Sequence, residues 1–171
     1  MDTSLAIASR RETRRFARRP LPPDVLERIL DAGRLAGTAS NKQPWRFVAV
    51  ESAEARERVA ETVYAPENVR GAAAAVALVG TGTGRISAFD AGRIAQNMLL
   101  AAWNEGVGST PNGMPDPGAT KEALDLEGDE TPIIVLSFGY PERPRDAESR
   151  TREEWSARAN RKPLGELVER R

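Results

Sequence analysis

The 171-residue chain contains no cysteine and no histidine. Without cysteine there is no disulfide framework, no thiolate nucleophile and no thiolate metal site. Without histidine, serine–histidine triads, His-ligated zinc and imidazole acid/base chemistry are all excluded, and no metal is expected. Net charge is also missing: 25 basic residues balance 25 acidic ones, and the sequence pI is about 6.4. That balance, with only 5% aromatic residues, argues against a nucleic-acid binder. No apolar run approaches the roughly 20 residues of a membrane span. The start, Met1-Asp2-Thr3-Ser4-Leu5, lacks the basic and apolar regions of a signal peptide, so a cytoplasmic location is expected. An enzyme of this composition must work through carboxylates, arginines, backbone amides or an organic cofactor, and a cofactor is the natural carrier of difficult chemistry.

What is present suits one folded domain, residues 1–171, with 40% apolar and 29% charged residues. Asp2 or Thr3 caps a short helix ending near Ser9. After the stiff Pro20–Pro23 connector, the apolar stripe from Val25 to Ala36 predicts a helix that Gly37 stops. Strands are expected at Trp45–Val50, Ala72–Val79 and Ile133–Phe138. Ser52 should cap a helix running to about Val63. Asp90 should cap the most apolar helix, Ala91–Glu105, with Gly106 as its stop. Gly80–Gly84 reads as a turn and Ser109–Gly118 as a Pro/Gly loop, with Thr120 capping a helix to Leu126. The charged tail offers only Trp155, Leu164, Leu167 and Val168 as anchors. Strands and helices mix without a βαβ rhythm, which favours an α+β layered domain over a doubly wound parallel sheet. Gly80-Thr81-Gly82-Thr83-Gly84 lacks dinucleotide-loop spacing, and no Gly-Lys-Ser/Thr occurs, so a P-loop is excluded.

Two short segments carry chemistry. Arg10-Arg11-Glu12-Thr13-Arg14-Arg15-Phe16 concentrates four arginines in a neutral chain. Guanidinium groups fork planar donors toward phosphates and carbonyls, so the cluster suits an anionic ligand, or else a solvated basic face. Gly37-Thr38-Ala39-Ser40-Asn41-Lys42-Gln43-Pro44-Trp45 presents side-chain amides, which both donate and accept.

Together these segments resemble the flavin-dependent nitroreductase family in its short form. The Arg10–Phe16 run, Pro22-Pro23-Asp24 entering a helix, and Asn41-Lys42-Gln43-Pro44-Trp45-Arg46-Phe47 recur in the family's order and spacing. Asn160-Arg161-Lys162-Pro163-Leu164 resembles its closing motif, and Gly106-Val107-Gly108 with Pro111-Asn112-Gly113 its central one. The resemblance implies a layered fold, a mixed or antiparallel sheet flanked by helices, and an interlocked homodimer. Residues from about 142 to 171 would wrap the partner. It implies FMN as cofactor and NADH or NADPH as reductant.

By the same resemblance, Arg10, Arg11 and Arg161, with Lys162, hold the FMN phosphate. Arg14 lies by the pyrimidine edge near N1 and O2, and Asn68 and Arg70 lie near that edge too. Thr38, Ala39, Ser40, Asn41 and Gln43 reach the flavin largely from the partner chain. Pro111 also binds the cofactor, and the backbone N–H of Gly113 or Asn112 points at N5, the reactive atom, where glycine permits close contact. Glu12 stands where the family commonly has a phosphate-contacting serine. No side chain stands out as a catalytic acid or base. The implied reaction is ping-pong reduction of a small acceptor, a nitroaromatic or quinone. The short stretch between Gly80 and Asp90 predicts an open flavin face. A non-catalytic flavin-storage protein of the same fold is the alternative, and nucleic-acid binding through the arginine cluster a more distant one.

Overall fold

The computed structural model describes residues 1–81 and 88–171. They form two compact units, Arg11–Pro144 and the termini Met1–Arg10 with Arg145–Arg171.

The larger unit is built on a four-stranded sheet, ordered β1-β2-β4-β3 and antiparallel at each pairing. Its strands are β1 (Trp45–Val50), β2 (Ala74–Gly80), β3 (Gly108–Asn112) and β4 (Thr131–Gly139). All seven residues of β2 are buried, because both faces of the sheet are covered. The strand's period of two divides them. Ala74, Val76 and Leu78 join Leu136 and Phe138 beneath α2 (Pro23–Arg34) and α5 (Ala88–Asn104). Ala75, Ala77 and Val79 join Val135 on the opposite face, with Val59, Ala60 and Val69 from α3 (Ala53–Ala60) and α4 (Pro66–Arg70). The α+β layered architecture is therefore three layers deep. Gly33 lets α2 approach α5 closely, since a Cβ there would lie 2.8 Å from Met98 Cγ.

Helix ends follow local chemistry. Ser52 caps α3 through its side chain, as expected. Gly106, at φ +71°, closes α5, with Gly106 N–H donating to Trp103 O and Val107 N–H to Ala102 O. Other expectations need correction. The α2 helix ends at Arg34 with Leu35 as its cap, so Gly37 lies beyond the stop. The α5 helix starts at Ala88, which puts Asp90 inside the first turn, where its charge suits the helix N-terminus. The α6 helix (Pro117–Ala123) is capped by Asp116 rather than Thr120, whose side chain is buried. Residues 108–112 form the edge strand β3, not a loop. A proline reads as a loop signal, yet an edge strand tolerates its missing N–H. The predicted Gly80–Gly84 turn falls largely outside the described residues.

In the terminal unit, α1 (Thr3–Ser9) packs against α7 (Arg152–Arg158). Asp2 caps α1, accepting from Leu5 N–H. Thr151 and Glu154 form a reciprocal capping box on α7. Trp155 is buried, donates Nε1–H to Ala147 O at 2.8 Å, and lies under the Arg150 guanidinium. The expected anchors Leu164, Leu167 and Val168 are exposed.

Candidate functional site

Strand β3 gathers several of the predicted residues. Thr13 N–H donates to Ser109 O at 3.0 Å, and Glu12 forms a parallel bridge with Ser109. The arginine segment thus runs along the open edge of β3 and is no solvated tail. Gly108 makes this possible, because a Cβ there would lie 2.5 Å from Thr13 Oγ1. The role of Thr13 and Gly108 in seating the arginines was not legible in the motif. The signal was the second glycine of Gly106-Val107-Gly108, which marks a close backbone approach.

Farther along β3, Asn112 is buried and fully engaged. Its Nδ2 donates to Val135 O at 3.1 Å, Ser137 Oγ at 2.9 Å and Thr110 O at 3.3 Å. Its Oδ1 accepts from Asn68 Nδ2 at 3.1 Å. Asn68 Oδ1 accepts no hydrogen bond from any described residue and remains an available acceptor. Gly113 is exposed, just past the last residue paired with β4, and its carbonyl accepts from Tyr64 N–H. Pro111, Asn112, Gly113, Asn68 and the segment carrying Arg11 and Arg14 therefore lie around one strand.

Arg70 goes elsewhere. Two residues on a helix stand about 200° apart, so α4 turns Asn68 toward β3 and Arg70 toward α3. Arg70 Nε lies 2.9 Å from Glu57 Oε1 and Nη1 lies 2.9 Å from Glu67 Oε1, with Glu61 as a third partner. These carboxylates, Glu57 first, hold its pKa above the ordinary value.

The amide loop sits at the other edge of the sheet. Ser40, Asn41 and Gln43 all have left-handed backbone, at φ +54°, +53° and +49°. Such conformations are costly for residues with a Cβ and need local support. Gln43 N–H donates to Thr38 Oγ1 and Gln43 Nε2 to Asn41 Oδ1 at 2.9 Å. Arg93 Nη1 holds Gly37 O from α5. Ala39, Ser40, Asn41 and Gln43 are exposed and Thr38 half-buried. The loop leads into β1, and two strands separate β1 from β3. That is about 14 Å across the sheet, so one chain does not bring the loop to Asn112. Arg10, Arg161 and Lys162 belong to the terminal unit, where Arg10 caps the end of α1 and the other two are exposed on the segment after α7.

No group of three or more acidic side chains among the described residues could hold a metal ion. No described helix is long and apolar enough to cross a membrane.

The sequence model of the nitroreductase family matches residues 7–85 and 67–140. The chain belongs to the nitroreductase family. An Archaeoglobus fulgidus protein with the provisional name NADH dehydrogenase/NAD(P)H nitroreductase is 30% identical over 151 residues, covering 82% of this chain and 86% of its own. A nitroreductase family protein from Clostridium difficile superposes with a TM-score of 0.81 at 23% identity, covering 99% of this chain and 98% of that one. The NADPH:FMN oxidoreductase of Vibrio harveyi, solved with NAD+, shares the fold at a TM-score of 0.75 and 23% identity, covering 83% and 70%. This nitroreductase family member thus shares the family's fold, and its layered sheet lies in the larger unit.

Proposed function

We propose that this protein is an FMN-dependent NAD(P)H oxidoreductase that reduces nitroaromatics, quinones or related small acceptors. The observation that carries the reading is the assembly on β3, where the arginine segment, Asn68 and Asn112–Gly113 meet. These residues fit a flavin. Asn68 Oδ1 is an acceptor for the pyrimidine N3–H. Gly113 gives the backbone an exposed approach at the end of the strand, and its amide is the donor toward N5. Arg11 and Arg14 supply cations for the phosphate and for the N1–O2 edge, where negative charge grows on reduction.

FMN, when bound, supplies a two-electron carrier that NAD(P)H and the acceptor use in turn, a ping-pong sequence. The chain's own contribution is positioning and charge. Pro111 and Asn112 fix the strand backbone at its end. Asn112 does so by tying β3 to Val135 and Ser137 of β4. Arg10, Arg161 and Lys162 are assigned to the phosphate by their places in the motifs. Arg70 enters through its motif position alone, since Glu57, Glu61 and Glu67 engage its guanidinium.

The reading requires a homodimer. Thr38, Ala39, Ser40, Asn41 and Gln43 would complete the site from the partner chain. Their position at the edge of the sheet opposite β3 supports this. The segment 142–171 would wrap that partner, and exposed Leu164, Leu167 and Val168 supply apolar surface for it. An open flavin face, broad acceptor selectivity and a cytoplasmic setting complete the proposal.

The test is a visible spectrum of the purified protein followed by anaerobic NADH or NADPH. A yellow protein that bleaches, then recovers colour with a nitroaromatic or quinone, is expected. A yellow protein that does not bleach with either nucleotide would indicate flavin storage. A colourless protein that ignores added FMN would overturn the reading.

A further inference from the structure

A pocket of about 590 Å³ opens within the larger unit, between the segment 16–20 and the turn from α4 into β2. That volume lies in the range of small-molecule sites. Its walls include Phe16, Arg18, Arg19, Glu51, Arg56 and Arg70. Asn68, Asn112, Gly113 and the amide loop do not line it.

The walls are well fixed. Ala17 N–H donates to Tyr140 O at 2.8 Å, and Phe16 bridges to Pro141. The Phe16 ring lies where a Cβ on Gly139 would be, at 2.9 Å. The Arg19 guanidinium stacks on Tyr140, 3.8 Å from its ring centre. Arg56 is held by two backbone carbonyls: Nη1 donates to Ala73 O at 3.1 Å and to Glu51 O. These contacts orient its planar fork and leave Nε–H buried with no acceptor. A buried donor of this kind is uncommon in a folded protein, and here it is the cost of fixing the Arg56 guanidinium in the wall.

Charge decides what kind of acceptor. Arg70 is outnumbered by Glu57, Glu61 and Glu67, the last also a wall residue, so that side of the pocket is negative and the positive side is elsewhere. That leaves Arg18, Arg19 and Arg56 facing the single carboxylate of Glu51. No described residue forms an ion pair with Arg18. Guanidinium groups recognise carboxylates and phosphates through parallel N–H···O bonds. The Phe16 ring adds a flat apolar wall.

We infer that this pocket binds a small organic anion, a carboxylate or phosphate on a flat apolar body, with the anionic oxygens on Arg56 and Arg18. Among the residues assigned to the flavin only Arg70, by motif position alone, lines this pocket, so the two sites can be occupied together. Arg56 supplies a fixed positive charge in the wall, Arg18 closes over the anionic oxygens from the exposed rim, and Phe16 packs against the body.

The test uses full-length protein with FMN added, titrated with phenyl phosphate and, separately, benzoate, by calorimetry. Saturable binding of at least one probe is expected at or below about 1 mM, weakening as salt rises. The stronger probe identifies the anion as phosphate or carboxylate. Arg18→Ser, on the exposed rim, should weaken binding about tenfold without altering the fold, because one charge-assisted hydrogen bond is lost. Arg56→Lys keeps the charge but loses the fork, and should weaken binding at least as much. No saturable heat with either probe, or unchanged affinity in both variants, would overturn the inference. So would displacement of FMN by the probe, followed in the visible spectrum. Because the heat is read whether or not flavin binds, a colourless protein would sink the proposed redox function and leave this test intact.

Discussion

Two amide-bearing segments of the chain are built in opposite ways. Asn68 and Asn112 are buried, and every hydrogen of the Asn112 amide is spent on β3 or β4. Asn41 and Gln43 are exposed on left-handed backbone and bond mainly to each other and to Thr38. In the first pair Asn112 is satisfied within the chain that carries it, while Asn68 donates to Asn112 and keeps Oδ1 as an acceptor. The second is shaped by its own loop and points its remaining donors outward. A conformation unfavourable for three residues at once is held there by local bonds and by Arg93, which suits a surface prepared for something outside this chain.

This contrast can be broken most directly with Asn112→Leu. It removes the donor for Val135 O and Ser137 Oγ and the acceptor for Asn68, and should cost about 3 kcal/mol in urea unfolding. Asn41→Gly, which tolerates the left-handed φ, should stay within about 0.5 kcal/mol by the same measurement, yet lower flavin retention. Equal losses of stability in the two variants would abolish the distinction.

Next in size is Gly108→Ala. The added Cβ collides with Thr13, so the arginine segment must leave the β3 edge, at a cost of about 1–3 kcal/mol and with weaker FMN binding. Thr13→Gly in the same chain should recover much of both. If it does not, Thr13 is not what Gly108 accommodates.

Arg14→Ala should leave stability nearly unchanged, since Arg14 is exposed, while weakening FMN retention or slowing its reduction about tenfold. Unchanged occupancy and kinetics would remove Arg14 from the site.

The smallest expected effect is a pH dependence near the β1 edge. Arg46 grips Glu130 with two hydrogen bonds, at 2.5 and 2.9 Å, and lowers the Glu130 pKa from 4.5 to about 2. A carboxylate with a depressed folded pKa stabilises the fold above its unfolded pKa. That contribution is complete above pH 4.5 and fades as pH falls toward 2. Glu130→Gln should flatten this part of the stability–pH curve. An unchanged acid limb would show that the exposed pair contributes nothing measurable.

Much of the architecture was legible in the residues. The caps at Asp2 and Ser52 and the stop at Gly106 are local events, set by side chains within a few positions. Strand β2 was readable because a run of small apolar residues suits a position covered on both faces. Strand β3 was not, because Pro111 and its glycines resemble a loop until β4 and the Glu12–Thr13 segment are seen on either side. The site followed the same division. Motif order named Asn68, Arg70 and Asn112, but only the turn of α4 showed that Asn68 meets Asn112 while Arg70 meets three glutamates.

By itself the sequence determined the chemical repertoire: no imidazole, no thiol, a cluster of arginines and a set of amides. It also determined the elements, since caps, stops and hydrophobic periods act within a few residues of the chain. The tertiary structure alone decided which of these groups share a surface. It laid the arginine segment on β3, set the amide loop at the far edge of the sheet, and gathered Arg18, Arg19 and Arg56 around one pocket. The physical reason is that strand order and helix rotation arise from burying both sheet faces at once, a constraint shared by residues far apart in sequence and carried by no single stretch of it.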